Sequence, residues 1–310
     1  MLLDSDEMAS DHGRSAVQSG VVRGLVRTAR PRQWLKNVLV FAAPAAAGVL
    51  DQRDEFVRAL VAFIAFCIAS SATYFWNDVL DRERDRLHPR KRLRPIAAGT
   101  VPVRLAAVVG TAGLVLAPLI ALGTGRVEVM VLILIYEVLT VSYSTVFKHI
   151  AVVDLVAVAA GFVLRAAAGA VAVSVPMSSW FLASVSFGAM FVVTGKRYAE
   201  LRASGGGHTL TRSTLDVYPV EYLRTVLAIS CTGAILGYSL WAFESKGASS
   251  SELILFEISV VPVVVALLRY LLVLERGEGE APEDVFLADR VLQIAGLVWV
   301  VVYGLAVYTS

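Results

Sequence analysis

Residues 103–147 read VRLAAVVGTAGLVLAPLIALGTGRVEVMVLILIYEVLTVSYSTVF. Two runs, 103–123 and 127–147, are apolar on nearly every face and are broken only by Thr124, Gly125 and Arg126. A helix of roughly 20 residues crosses the roughly 30 Å hydrocarbon layer of a bilayer, so each run is long enough to span it. Neither alternates as a barrel strand must, and an open strand edge would leave backbone groups unsatisfied in lipid. The stretch predicts two adjacent transmembrane helices joined by a tight turn.

Working outward, comparable runs stand at 34–50, 56–76, 151–175, 178–196, 221–243, 252–274 and 290–308. The reading is therefore an all-α integral membrane protein with nine transmembrane helices in one domain, 34–310. Pro44, Pro118, Pro176 and Pro262 lie in or beside spans, where neighbouring helices tolerate a kink. Over 310 residues the chain is 57% hydrophobic and 17% charged, with mean hydropathy +0.68. That composition excludes a water-soluble enzyme, a disordered tail and a disulfide scaffold. Cys67 and Cys231 both fall inside apolar runs and read as small buried hydrophobes.

A net charge of +2 hides a strong segregation. With the N-terminus in the cytoplasm, only Arg53, Arg58, Arg126 and Lys246 of the 28 Lys and Arg fall outside, and Arg165 lies within a span. The positive-inside rule supports that orientation. Residues 1–33 read as a polar leader running into an interfacial helix over 21–36, with Val22, Leu25, Val26 and Ala29 beside arginines, as suits anionic lipid. The long loops, 77–102 and 197–220 with Ser204 to Gly207, then face the cytoplasm, which places the chemistry there.

The segment richest in chemistry is Tyr74 to Gly99, YFWNDVLDRERDRLHPRKRLRPIAAG. On a helix, Asn77, Asp81 and Asp85 stack along one face with Asp78 beside them. Clustered carboxylates at a membrane boundary are costly unless a cation answers them. Carboxylate and amide oxygens suit Mg²⁺, which keeps few protein ligands and fills its shell with water and phosphate. His88, Arg90, Lys91, Arg92 and Arg94 follow directly, an arrangement that suits phosphate. The alternative is a solvated helix end with local salt bridges. Tyr74 shares the face of Asn77 and either meets substrate or packs.

Arg165 stands mid-span, where an unpaired cation is disfavoured. It faces either Asp154, eleven residues earlier on the same face, or a substrate phosphate in a cavity, the reading preferred here. Lys36 begins the first span and either reaches the pocket or snorkels to the interface. Lys196 and Arg197 close the sixth span as ordinary flanks or as an anion site. Glu128 and Glu137 carry no assignment. His208, Asp216, Glu275, Glu283, Asp284 and Asp289 read as solvated loop charge.

NDVLDRERD with its trailing basic loop resembles the first aspartate-rich motif of the UbiA superfamily of intramembrane prenyltransferases. RPRQWLKN at 30–37 and YSTVFK at 143–148 extend the likeness. The resemblance implies a central cavity open to the cytoplasm, Mg²⁺ held by Asn77, Asp81 and Asp85, and a diphosphate-holding role for Tyr143 and Lys148. The superfamily's second acidic motif is replaced by Gly195-Lys196-Arg197-Tyr198-Ala199-Glu200. With KHIAVVD (148–154) and PEDVFLADRVLQ (282–293), this is similar to the branch that transfers phosphoribosyl from phosphoribosyl pyrophosphate (PRPP) to a polyprenyl phosphate for actinobacterial arabinan synthesis.

The implied enzyme is a multi-pass plasma-membrane glycosyltransferase with Asp81, Lys148 and Arg165 as catalytic residues. Lys36, Tyr74, Asn77, Lys91, Arg94, Tyr143, Lys196 and Arg197 complete the substrate contacts. Its expected partners are PRPP, decaprenyl-type phosphate and the bilayer, with no nucleic acid and with a homo-oligomer left open. Two other readings stand beside it: an aromatic prenyltransferase using a prenyl diphosphate, and an anionic-lipid transporter.

Overall fold

The computed structural model describes residues 20–203, 217–244, 250–277 and 282–308. The leader 1–19, the 204–207 stretch, His208, Asp216 and the side chain of Glu283 lie outside the described residues. Among those described, every regular element is helical, and eight helices are long and apolar enough to cross a bilayer. The chain is a multi-pass membrane protein.

The N-terminal helix α1 spans 20–29 and stops short of the 21–36 expected from its pattern. Arg30 takes a left-handed conformation with φ 53° and precedes Pro31, whose ring disfavours a helical residue before it. A 3-10 helix then runs over Pro31–Phe41 and passes into a short α2, Ala42–Ala46. The expected first span is thus not one α-helix of membrane length. Its eleven 3-10 residues and five α residues nevertheless rise about 30 Å, where sixteen α residues would rise about 24 Å.

This segment lies antiparallel to α3, Arg53–Leu80. Arg30 meets Asp78, Trp34 Nε1 donates to Ser71 Oγ at 3.0 Å, and the Phe41 ring stacks on Phe56. It can lie so close to α7, Val153–Ala172, because residue 169 is glycine: a Cβ there would stand 1.7 Å from the Val40 carbonyl oxygen.

A second break comes at Asp81, after which α4 (Arg82–Leu87) and a 3-10 turn (Lys91–Leu93) carry the basic loop. Helices α5 (Val103–Ala121), α6 (Val127–Thr145) and α7 complete the first half, packed around Phe66, Ile133 and Tyr136. The second half comprises α8 (Ser179–Ala203), α9 (Val220–Glu244), α10 (Ser250–Ile258), α11 (Val260–Glu275), a short α12 (Pro282–Ala288) and α13 (Arg290–Tyr308). Its core gathers Phe191, Tyr198, Leu223, Leu227, Tyr270 and Leu274. The predicted 252–274 span is divided at Ser259, whose hydroxyl bonds the Tyr238 hydroxyl of α9 at 2.8 Å. Cys67 and Cys231 are buried free thiols.

Candidate active site

The spacing of the acidic ladder survives the break at Asp81. Asp81 N–H donates to the Asn77 carbonyl at 2.9 Å and Asp85 N–H to the Asp81 carbonyl at 2.8 Å, so the three side chains keep one face. They open on a cavity of about 460 Å³ together with Lys91, Arg94, Tyr143 and Lys148. Arg30, Arg84, Asp78 and the imidazoles of His88 and His149 complete its polar wall. Five Lys and Arg face three Asp, a balance that favours an anionic ligand.

The acids are not equivalent. Arg94 Nη1 lies 3.1 Å from Asp78 Oδ1 and 2.7 Å from Asp85 Oδ2, and Arg30 holds Asp78 as well. Both carboxylates are nearly fully buried, so the arginines answer charges that water cannot reach. Asp81 is one-third exposed and makes only long ion pairs, 3.7 Å to Lys148 and 3.8 Å to Arg84. Among the described residues no three His, Cys, Asp or Glu converge as a metal cluster.

A second cavity of about 400 Å³ adjoins the first, and Tyr143 lines both. Leu35, Val158, Phe162, Val192, Val193 and Phe286 give it apolar walls, and Arg32, Lys36, Lys196 and Arg197 supply cations. Lys36 and Lys196 therefore face the second cavity and not the acidic ladder.

Arg197 is 5% exposed and already compensated. Its Nη1 donates to Glu200 Oε2 at 3.0 Å, its Nη2 to the Tyr143 hydroxyl at 3.0 Å, and its Nε stands 3.4 Å from Asp154 Oδ2. The Tyr218 hydroxyl donates to the other Asp154 oxygen and accepts the Val152 N–H, bracing a residue held at φ 68°. Burial, then the bond to Asp154, pushes the Tyr218 phenol well above its usual range. Arg197 thus sets the Tyr143 hydroxyl between the two cavities.

Arg165 departs from both sequence readings. It does not pair with Asp154 and lines neither cavity. Its Nε donates to Asn37 Oδ1 at 2.7 Å, Nη1 to the Gly161 carbonyl at 2.6 Å and Nη2 to the Tyr136 hydroxyl at 3.0 Å. Each such bond to a charged group contributes about 1.5–3 kcal/mol, which offsets the burial of the cation. Tyr74 also lies off the first cavity wall, with the Arg30 guanidinium 4.5 Å above its ring.

Arg30, Asn37 and Tyr218 were missed as site-building residues, and Asp154 was read only as a partner for Arg165. Arg30 and Asn37 sit within the RPRQWLKN signal, which points to the segment but not to its partners. Glu275 and Asp289, read as solvated, are ion-paired to Arg202 and Arg224, and to Arg269.

Residues 38–297 match the UbiA prenyltransferase family. A decaprenyl-phosphate phosphoribosyltransferase of Mycobacterium tuberculosis is 43% identical, over 93% of this chain and 96% of its own length. A protein of the same name from Corynebacterium glutamicum is 39% identical, over 96% of this chain and 91% of its own. The structure of a UbiA homologue from Archaeoglobus fulgidus bound to DMAPP and Mg²⁺ superposes with a TM-score of 0.69 over 92% of this chain and 99% of that one, at 18% identity, a likeness of fold. This chain belongs to the UbiA prenyltransferase family.

Proposed function

We propose that the chain transfers the 5-phosphoribosyl group of PRPP to the phosphate of a polyprenyl, decaprenyl-type lipid and releases pyrophosphate. The observation that carries this reading is the pair of cavities meeting at Tyr143, one polar with five cations and an acidic ladder, the other apolar with four cations. A hydrophilic donor that is anionic at both ends suits the first, and a lipid with a phosphate head suits the second. The names of the relatives point to the same two substrates. The excess of Lys and Arg in the loops beside the site supports a cytoplasmic orientation for it, and the bilayer is read as the plasma membrane.

Asn77, Asp81 and Asp85 offer oxygens on one face, and the loosely paired Asp81 keeps capacity for a cation. The set suits Mg²⁺ with few protein ligands. When bound, the ion would neutralise pyrophosphate charge in the first cavity. Lys91 and Lys148 stabilise the departing pyrophosphate, and Lys36 and Lys196 hold the lipid phosphate. An oxygen of that phosphate bonds to ribose C1 as the C1–O bond to pyrophosphate breaks. The nucleophile is already ionised near neutral pH, so no general base is required.

Purified chain incubated with labelled PRPP and polyprenyl phosphate is expected to yield labelled lipid with the mass of polyprenyl-phosphoryl ribose 5-phosphate. Transfer from a prenyl diphosphate to an aromatic acceptor, with none from PRPP, would overturn the reading.

A further inference from the structure

Arg165 and Asn37 meet where three elements converge. Asn37 is completely buried, and its Nδ2 lies 3.2 Å from Cys67 Sγ and 3.3 Å from Ser70 Oγ on α3. Its Oδ1 accepts from Arg165 of α7, which also binds Tyr136 of α6. One amide and one guanidinium therefore tie the 3-10 helix Pro31–Phe41 to α3, α6 and α7. A 3-10 helix of eleven residues is long for its kind and has poorer internal hydrogen bonds, so it depends on such external anchors. The planar five-donor fork of arginine can serve three acceptors at once, which a lysine ammonium cannot match in the same geometry.

The same junction backs the second cavity. Lys36, adjacent to Asn37, lines that cavity, and so does Phe162, whose ring lies 5.7 Å from the Arg165 guanidinium carbon. Arg165 itself stays behind the wall.

We infer that Arg165 is a positioning residue for the lipid acceptor: through Asn37 it fixes the 3-10 helix and so sets where Lys36 enters the second cavity. The inference rests on the reading that this cavity takes the lipid phosphate. It replaces the direct substrate contact expected of a mid-span arginine. Loss of the Asn37 bond lets Lys36 drift, while at the first cavity Arg30 keeps its ion pair with Asp78 and Arg94 its pairs with Asp78 and Asp85.

The experiment uses the full chain in lipid nanodiscs and measures kcat and both KM values for Arg165→Lys, Asn37→Ala and their double variant. Arg165→Lys is expected to raise KM for polyprenyl phosphate roughly tenfold, the effect of losing about one charge-assisted hydrogen bond, with PRPP KM and kcat within about twofold of the parent. The double variant should be no worse than the more affected single variant, because both cut one link. A raised PRPP KM, or a fall in kcat with lipid KM unchanged, would return Arg165 to direct substrate contact and overturn the inference. If Arg165→Lys does not fold, Asn37→Ala cuts the same link from its other end, and an unchanged lipid KM there is equally decisive against it. Lys36→Ala separates the two levels. If it leaves lipid KM unchanged, the assignment of the second cavity fails; if it raises lipid KM while Arg165→Lys does not, only the positioning role fails.

Discussion

Lys148 Nζ lies 3.7 Å from Asp81 Oδ1, a contact that joins the turn after α6 to the end of α3 across the first cavity. The distance exceeds a hydrogen bond, and the Asp81 side chain is 33% exposed, so the pair is an electrostatic arrangement more than a structural tie. An acid and a base held apart in this way suit a ligand that enters between them, a cation toward one and an anion toward the other.

Asp81→Asn keeps the side-chain volume and removes the charge. Turnover is expected to fall by on the order of 100-fold or more, since the lost charge stabilisation amounts to several kcal/mol. Thermal stability should change by less than about 1 kcal/mol, as for other partly exposed pairs. Assaying activity across an Mg²⁺ titration alongside the unfolding temperature checks both halves. Turnover within about threefold of the parent at any Mg²⁺ concentration removes Asp81 from the reaction.

Arg94→Met should act mainly on stability. Asp78 and Asp85 side chains are 2% and 4% exposed, and Arg94 neutralises both. Breaking a buried pair from one side costs about 3–5 kcal/mol, and the low end applies because Arg30 still answers Asp78. A clear drop in unfolding temperature in detergent is expected, with partial recovery on adding Asp85→Asn. No drop would mean that the two carboxylates do not need the bridge.

The acidic ladder was legible because its geometry is local: residues four apart on a helix share a face whatever the tertiary fold. The Arg165 partner was not, because Asn37 is 128 residues away and asparagine carries no charge to suggest the pairing. Asp154 was weighed only as a partner for Arg165, whereas Arg197 reaches it from a different helix. The form of the first span depends on Gly169 admitting the Val40 carbonyl, a contact between distant segments that periodicity cannot register.

Tyr143→Phe tests the meeting point of the cavities. The substitution removes the hydroxyl that accepts from Arg197 Nη2 at 3.0 Å but keeps the ring. The expected result is a fall in kcat of roughly tenfold, about the worth of one charge-assisted bond. Steady-state kinetics with each substrate varied in turn read the effect. A change confined to lipid KM would place the hydroxyl in acceptor binding alone.

Asp289 gives a pH signature outside the spans. The hydrogen bond from Arg269 is the main force holding its carboxyl below the ordinary value of 3.8, aided by the Leu292 and Val291 N–H groups at the start of α13. A depressed pKa means that the folded state binds the proton more weakly than the unfolded chain. The resulting stability is complete well above pH 3.8, and it is lost as pH falls through the lower folded value. Unfolding temperature measured over the acid range should therefore decline more steeply for the parent than for Asp289→Asn, which keeps an oxygen for the N–H groups but cannot titrate. Near neutral pH the parent should be the more stable of the two. Parallel acid profiles would show that the Arg269 pair does not couple to folding.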